Sequence, residues 1–259
     1  MTRLVDIMKR LDRHGAHVGP LSAMAAELLS KEYGPRAAAV PAELVPVAAL
    51  TAAMRPAVTV HEVTAPVAAL VASVALDRAP GAPPRLFRAP WAMEALEAER
   101  PLFGAVCSLA GFETDGALRL VSLDRGGAIR EAATHPEWTG GPWSPKADPI
   151  RGDTAPPGTW QAEALRFAVV LALLLEAENS PVRGGGRPQF SKKRRGTYVQ
   201  SSEWTIRRLF VDSGTIAALQ SQERGRQIGR LESKGGRWSY LSLAGRPAAK
   251  IVVRRKKPK

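Results

Sequence analysis

The chain has 259 residues, of which 45% are hydrophobic and 24% charged, so it can form one large domain or two smaller ones around a buried core. Cys107 is the one cysteine, which excludes an internal disulfide and a cysteine-based zinc site. The formal net charge of +13 at pH 7 indicates a polyanionic partner.

The positive charge is concentrated after residue 180. Residues 181–259 contain 20 Lys and Arg against 4 Asp and Glu, whereas residues 1–180 contain 17 against 20. We therefore distinguish a helical, Pro- and Ala-rich amino-terminal region (1–85), an α+β core (86–180) and a basic, β-rich carboxy-terminal region (181–259). This asymmetry favours nucleic acid as the partner, ahead of acidic protein or a membrane surface; a basic face that serves only solubility is the plain alternative.

The amino-terminal region begins with two predicted helices, residues 2–14 and 22–33. Apolar residues in the first recur with the spacing of an amphipathic helix, and they form no continuous run of the kind that a secretory signal contains. We therefore expect a soluble, cytoplasmic protein. The pair could also begin a DNA-binding helix-turn-helix, although the second helix carries only Lys31 as a cation.

The middle of the chain predicts the first strands. Ala57–Val63 is β-prone, and Pro66–Leu76 is a predicted helix. Leu102–Ala110 and Ala117–Leu123 predict an antiparallel hairpin around a turn at Glu113–Gly116, where Asp-Gly is the tight-turn pair. Within this hairpin, Cys107 is expected to be a small buried apolar residue rather than a nucleophile.

The longest signal for a single element is Thr159–Asn179, rich in Ala, Leu and Glu. Its continuous apolar run, Phe167–Leu175, is too short to cross a bilayer, which takes about 20 residues. An all-round apolar helix of this length is typical of a buried core helix. We therefore predict an α+β fold: a central buried helix packed on a mostly antiparallel sheet, with a small amino-terminal helical part and a basic carboxy-terminal tail.

The basic region alternates predicted loops and strands. Arg183–Gly196, which is glycine-rich and then densely basic, predicts a mobile loop. Glu203–Val211, Arg237–Leu243 and Ala249–Val253 predict strands, and Thr215–Gln222 predicts a short helix.

Sequence patterns of catalysis are missing. The sequence has no phosphate-binding G-x-x-x-x-G-K-[ST], no H-E-x-x-H and no G-x-S-x-G. We therefore expect no enzyme activity, no cofactor and no metal site. A metal-dependent nuclease built on acidic residues of the first part of the chain stays an alternative, as does the helix-turn-helix regulator.

Basic clusters interleaved with aromatic residues give the positive functional signal. Lys and Arg neutralise phosphates without precise spacing, and aromatic rings stack on unpaired bases, so this combination suits RNA or single-stranded nucleic acid. The candidate nucleic-acid-binding residues are Lys192, Lys193, Arg194, Arg195, Arg207, Arg208, Arg237, Trp238, Arg254 and Arg255. A core role for Trp238, as for Trp204, is the plain alternative.

The order of several segments resembles a known protein family. After Pro90-Trp91 come the hairpin LFGAVCSLAGFETDGALRLVSL, the apolar helix RFAVVLALLLEAENSPV, the basic KKRRG and a Trp-containing basic strand. Over residues 86–211 this order resembles the anti-CRISPR family, spread among phages, plasmids and bacterial genomes, that acts on the type V-A RNA-guided nuclease. The later GRWSYLSLAG and AKIVV are loosely similar to the family's last basic strands, whereas residues 1–80 show no match.

The resemblance implies a non-enzymatic function. The family's characterised activity lowers production of the nuclease, because it recognises the nascent amino-terminal peptide at the ribosome and triggers loss of the messenger RNA. No position here matches a motif for the peptide pocket, so no residue role is carried over. We predict a basic binding protein that acts on RNA or a translating ribonucleoprotein, possible partners including a nascent peptide or other protein but no membrane.

Overall fold

The computed structural model of the chain describes residues 3, 4, 6, 7, 57–97, 99–114, 117–134, 136, 138–142, 160–189, 203–221, 227–234 and 236–243. The strands are β1 (Ala57–Val63), β2 (Val74–Leu76), β3 (Trp91–Ala95), β4 (Val106–Thr114), β5 (Ala117–Asp124), β6 (Ile129–Thr134), β7 (Val182–Gln189), β8 (Glu203–Val211), β9 (Gly229–Lys234) and β10 (Arg237–Ser242). The helices are α1 (Ala65–Ser73), α2 (Trp160–Glu176) and α3 (Ser213–Gln220), with a 3₁₀ turn at Arg85–Arg88.

The strands form two sheets, and the fold is α+β as predicted. The larger is seven-stranded, in the order β6-β5-β4-β3-β1-β8-β7, and the smaller has the order β10-β9-β2. Neighbours in the larger sheet are antiparallel except at β1, which is parallel to both β3 and β8. The large sheet combines strands from all three regions that composition distinguishes.

Helix α2 is the central core element. Its apolar residues are buried around most of its circumference, and they join one cluster with the core side of the large sheet, including Met93, Leu109 and Leu120. Glu163 lies in the first turn, where the helix dipole favours an acidic group. The buried helix predicted at 159–179 is therefore confirmed, with described bounds of 160–176.

The hairpin is confirmed with a shifted first strand. Leu102 and Phe103 form a turn before β4, whose strand begins at Val106 and continues to Thr114. Thr114 pairs with Ala117, so the Asp-Gly pair spans the connection, and it lies outside the described residues. Cross-strand pairing extends β4 beyond the predicted end because backbone hydrogen bonds to β5 are available there.

Two other predictions need correction. Helix α1 ends at Ser73, because Val74–Leu76 instead pair with β9 as β2. The mobile loop predicted at 183–196 is wrong over residues 183–189, which lie in β7 and pair with β8. The backbone of an edge strand needs one partner, so the ladder with β8 overrides the low strand propensity of its glycines. The strands β2, β3, β6 and β9 were not predicted.

Four residues of the amino-terminal segment are described. Leu4, Asp6 and Ile7 are helical, as the predicted helix 2–14 requires, and Leu4 and Ile7 are buried. Arg3 donates to the carboxylate of Glu62 at 3.4 Å and to the carbonyl of Leu96 at 3.4 Å, which ties this segment to the sheet. The predicted helix 22–33 and strand 249–253 lie outside the described residues.

Candidate functional site

Four of the ten predicted nucleic-acid-binding residues lie in the described part of the chain. They are Arg207 and Arg208 on β8, and Arg237 and Trp238 on β10. The other six, Lys192, Lys193, Arg194, Arg195, Arg254 and Arg255, lie outside it. The side chain of Trp204 also lies outside it, so its predicted alternative role in the core stays a prediction.

Arg207 and Arg208 point to opposite faces of the large sheet, because successive side chains of a strand alternate. In the register of the parallel pair, Arg207 is beside His61 and Arg208 is beside Glu62. Arg208 donates to the Glu62 carboxylate at 3.2 Å, opposite Arg3 at 3.4 Å. Arg208 is therefore engaged in an ion pair on the face away from α2.

Arg237 and Trp238 lie at the start of β10, after a turn in which Gly236 has a φ of +79°. The carbonyl of Trp238 accepts a hydrogen bond from the backbone N–H of Glu178 at 3.1 Å, and Arg237 forms an ion pair with the Glu178 carboxylate at 3.3 Å. These contacts attach the small sheet to the end of α2. The Trp238 ring is half-buried against the main core, so the alternative of a core role holds in part.

Arg207, Arg237 and Trp238 line one cavity of about 630 Å³. The large sheet contributes Thr59, His61, Trp91 and Arg207, whereas the end of α2 contributes Leu175 and Glu176. The remaining walls come from the 3₁₀ turn, with Arg85 and Leu86, and from the β9–β10 turn. The fold thus brings together, in one place, residues from six elements: β1, the 3₁₀ turn, β3, α2, β8 and β10.

His61 lies on the cavity side of β1 and is only 3% exposed. Burial, and then the charge of Arg207, lowers its pKa to about 4, so the imidazole is neutral at pH 7. Its Nδ1 has no hydrogen-bond partner among the described residues. A neutral imidazole has one donor and one acceptor nitrogen, so this ring keeps unused hydrogen-bonding capacity beside the cavity.

Trp91 lines the cavity from the same side of the sheet as His61 and is 1% exposed. Its indole ring lies directly over Gly111 of β4, where a Cβ would overlap the ring. Phe87 packs against it with a centroid separation of 5.5 Å. The Trp91 Nε1–H, like His61 Nδ1, has no acceptor among the described residues.

The charges around the cavity are partly neutralised. The Glu176 carboxylate accepts a hydrogen bond from the backbone N–H of Arg85, and Glu178 pairs with Arg237. Within the described part of the chain, no carboxylate lies within ion-pair distance of the guanidinium groups of Arg85 or Arg207. Both side chains are exposed, so the cavity rim carries two cations available to an anionic ligand.

Sequence reasoning missed His61, Trp91 and Arg85 as site residues. His61 could have been noticed in the sequence, because it is a titratable residue within the predicted strand AVTVHEV, whose other residues are mostly β-prone and apolar. Arg85 and Trp91 had no local signal, because their position at the cavity depends on how the 3₁₀ turn and β3 pack.

A second cavity, of about 650 Å³, contains none of the predicted residues. Its polar lining includes Glu178, Arg183, Asp212 and Tyr240. Asp212 caps α3 by accepting from the Thr215 N–H at 2.8 Å, and burial, then the charge of Asp212, raises the pKa of Tyr240. Its charged lining consists of two carboxylates and one guanidinium, and Glu178 is already paired with Arg237, so no cluster of like charges marks this cavity as a site.

The remaining observations concern Cys107, groups of metal-ligating side chains and the length of the helices. Cys107 is buried, as expected for a small core residue, and burial raises the pKa of its thiol. Among the described residues, no group of three or more His, Cys, Asp or Glu side chains could hold a metal ion. None of the described helices has the length and hydropathy needed to cross a membrane.

Comparisons with known proteins give a structural likeness and no match in sequence. No family model matches the chain, and no curated protein matches it. The chain is similar to the crystal structure of AcrVA2, with 14% sequence identity, a TM-score of 0.44 and coverage of 92% of each chain. Membership of the anti-CRISPR family stays a prediction from the sequence segments.

Proposed function

We propose that this chain is a non-enzymatic protein that binds single-stranded RNA, alone or in a ribonucleoprotein, through the cavity face. The observation that carries the proposal is the meeting of Arg207, Arg237 and Trp238 at one cavity, although β8 and β10 belong to different sheets. Guanidinium groups neutralise phosphates, and an indole stacks on an unpaired base. The combination suits a single strand better than a duplex, whose bases are already stacked.

The charge of the carboxy-terminal region supports the same partner. Residues 181–259 contain 20 basic and 4 acidic residues, and the clusters 192–195 and 254–257 are part of that excess. Long-range attraction by such a region speeds the encounter with a polyanion and makes its affinity depend on salt. We predict that Ala at Lys192, Lys193, Arg194 and Arg195 weakens RNA binding and flattens that dependence.

Binding of a labelled oligouridine, measured by fluorescence anisotropy over a series of salt concentrations, tests the cavity face. The double variant Arg207→Ala, Arg237→Ala should bind at least about tenfold more weakly. The salt slope should fall by up to about 1.4, since each single-strand phosphate contact contributes about 0.7 and Arg237 has to exchange Glu178 for a phosphate to make its contact. Arg100→Ala with Arg130→Ala is the matched control, because it removes the same charge from two arginines that are at least half exposed and lie outside the cavity.

The outcomes separate the alternatives. Equal losses in the two double variants would show that charge alone matters and would remove the cavity face from the proposal. Tighter binding to a specific DNA duplex would favour the helix-turn-helix regulator. Cleavage of the RNA that requires a divalent metal would favour the nuclease.

We further propose an anti-CRISPR-like role for the binding protein in the cytoplasm, supported by the resemblance of residues 86–211 to the type V-A family. The nuclease should be produced at a lower level when this chain is coexpressed, and its messenger RNA should fall in parallel. Quantitative RNA and protein measurements on a nuclease gene and on a copy with a recoded amino-terminal peptide test this role. An unchanged messenger level would contradict it.

A further inference from the structure

The cavity has the volume of a ligand pocket, and it is partly open to solvent. Its volume of about 630 Å³ lies within the range of roughly 300–1,000 Å³ typical of small-molecule sites. The sheet forms its floor, and its walls come from α2, the 3₁₀ turn and the β9–β10 turn. A ligand that fills it would contact several elements of the fold at once.

The sheet side of the cavity combines aromatic and polar side chains, among them Thr59, His61 and Trp91. His61 is 3% exposed. Neither its Nδ1 nor the indole nitrogen of Trp91 has a hydrogen-bond partner among the described residues. These two nitrogen atoms have almost no accessible surface, so they do not by themselves select a ligand. The rings of His61 and Trp238 both line the cavity, and a flat ring can pack against them.

The rim of the cavity has the opposite character. The carboxylates of Glu176 and Glu178 are engaged by the Arg85 N–H and by Arg237, which leaves the guanidinium groups of Arg85 and Arg207 for a ligand. Trp238 is half-buried, and its aromatic ring also lines the cavity. An anion at the rim and a flat ring inside would use both parts.

We propose that the cavity receives one unpaired nucleotide of the bound strand, with its base beside His61 and Trp238 and its phosphate at Arg85 and Arg207. This inference rests on the RNA-binding function proposed above and adds the ligand class of the cavity. A paired base cannot enter, because its edge and both faces are occupied in the duplex. The cavity therefore selects single-stranded RNA by requiring a base that is free to leave its stack.

The test compares two strands of equal charge. An oligouridine of about 12 nucleotides, within the usual site size of single-strand-binding folds, is matched with an abasic strand of the same length. The wild-type chain should bind the intact strand about tenfold more tightly than the abasic strand. In Trp238→Ala this ratio should fall towards one, and Trp238→Phe should restore most of it.

Two matched variants locate the contacts. Phe210→Ala removes the exposed aromatic ring on the other face of β8 and should leave the ratio unchanged. Arg85→Ala should weaken binding of both strands several-fold, whereas Arg88→Ala, on the same 3₁₀ turn but outside the cavity lining, should not. Denaturant unfolding of each variant confirms that the fold is retained.

The result distinguishes this inference from the function on which it rests. Equal affinity for intact and abasic strands, or an unchanged ratio in Trp238→Ala, would overturn the nucleotide pocket while leaving RNA binding in place. No measurable binding of either strand would overturn both.

Discussion

Adjacent residues of β1 and β8 have different surroundings on the two faces of the large sheet. On one face, the carboxylate of Glu62 lies between Arg3 and Arg208 at 3.4 and 3.2 Å. On the other, neutral His61 lies beside Arg207 and a cavity of about 630 Å³. Arg207 and Arg208 are the same residue type in adjacent positions, yet one is available to a ligand and the other completes an ion pair.

The ion pairs on the Glu62 face contribute to stability, whereas Arg207 on the cavity face is available for binding. A mostly buried carboxylate with two cationic partners holds the amino-terminal segment and β8 to β1. An unpaired cation next to a buried neutral imidazole contributes little to the fold and leaves its charge for a partner. Substitutions on the two faces should therefore have different effects, even where they remove the same number of charges.

The largest effect is expected on the Glu62 face. The double variant Arg3→Ala, Arg208→Ala leaves a mostly buried carboxylate without its two cations, and we expect the free energy of unfolding to fall by about 3 kcal/mol. Urea unfolding monitored by circular dichroism measures the loss. Arg207→Ala with Arg237→Ala should lose less than about 1 kcal/mol, because it breaks only an exposed pair. Equal losses would contradict the contrast between the faces.

The next effect is a pH dependence that arises from His61. The unfolded chain protonates this ring below about pH 6.5, whereas the folded chain does so only below about pH 4. Between these values the unfolded state holds more protons, so the free energy of unfolding falls as the pH falls. We expect the His61 contribution to be complete above about pH 6.5 and to decrease by about 2 kcal/mol at about pH 5.

His61→Phe isolates this contribution, because it keeps a flat ring and removes the titration. Unfolding curves of the wild-type and variant chains should be compared at about pH 8 and about pH 5, so that other titrating groups cancel in the difference. The wild-type chain should lose more stability than the variant over this interval. Identical losses would show that the ring does not keep its lowered pKa in solution.

The smallest effect concerns the charge of Arg207. Arg207→Ala should raise the pKa of His61, because it removes the second cause of the lowering, but the pKa should stay below its ordinary value because burial remains. An NMR titration of the imidazole Cε1–H measures this shift. Arg208→Ala, on the opposite face, should move the pKa less, and a larger shift there would contradict the assignment of the two faces.

Local signals in the sequence were sufficient for several elements. The Ala- and Leu-rich run of α2, the Asp-Gly hairpin and the alternating β8 segment each carry their pattern within a few residues. Helix α2 and strand β8 were predicted in nearly the observed place, whereas the first hairpin strand begins at Val106 rather than at Leu102. Strand β7 was predicted wrongly from local signals, because its glycines indicate a loop and only its pairing with β8 makes it a strand. The short strands β2 and β3 depend in the same way on partners distant in sequence.

The candidate site also combines residues that local sequence signals identified with residues that only the packing of distant elements brings together. Arg207, Arg237 and Trp238 were identified from charge and aromatic content, but their common cavity could not be predicted, and neither could the separation of Arg208 from them. Arg85 and Trp91 join the cavity through the packing of the 3₁₀ turn and β3 rather than through any motif.

The sequence by itself determined the buried helix, the hairpin, the α+β class and the concentration of positive charge after residue 180, because each depends on composition or on neighbours a few positions apart. Only the tertiary structure decided which residues meet. Glu62 and Arg208 are 146 positions apart, and their contact depends on the parallel pairing of β1 with β8. In that register Arg208 lies beside Glu62 and forms the ion pair, whereas Arg207 lies beside His61 at the cavity, because the side chains of a strand alternate between its faces.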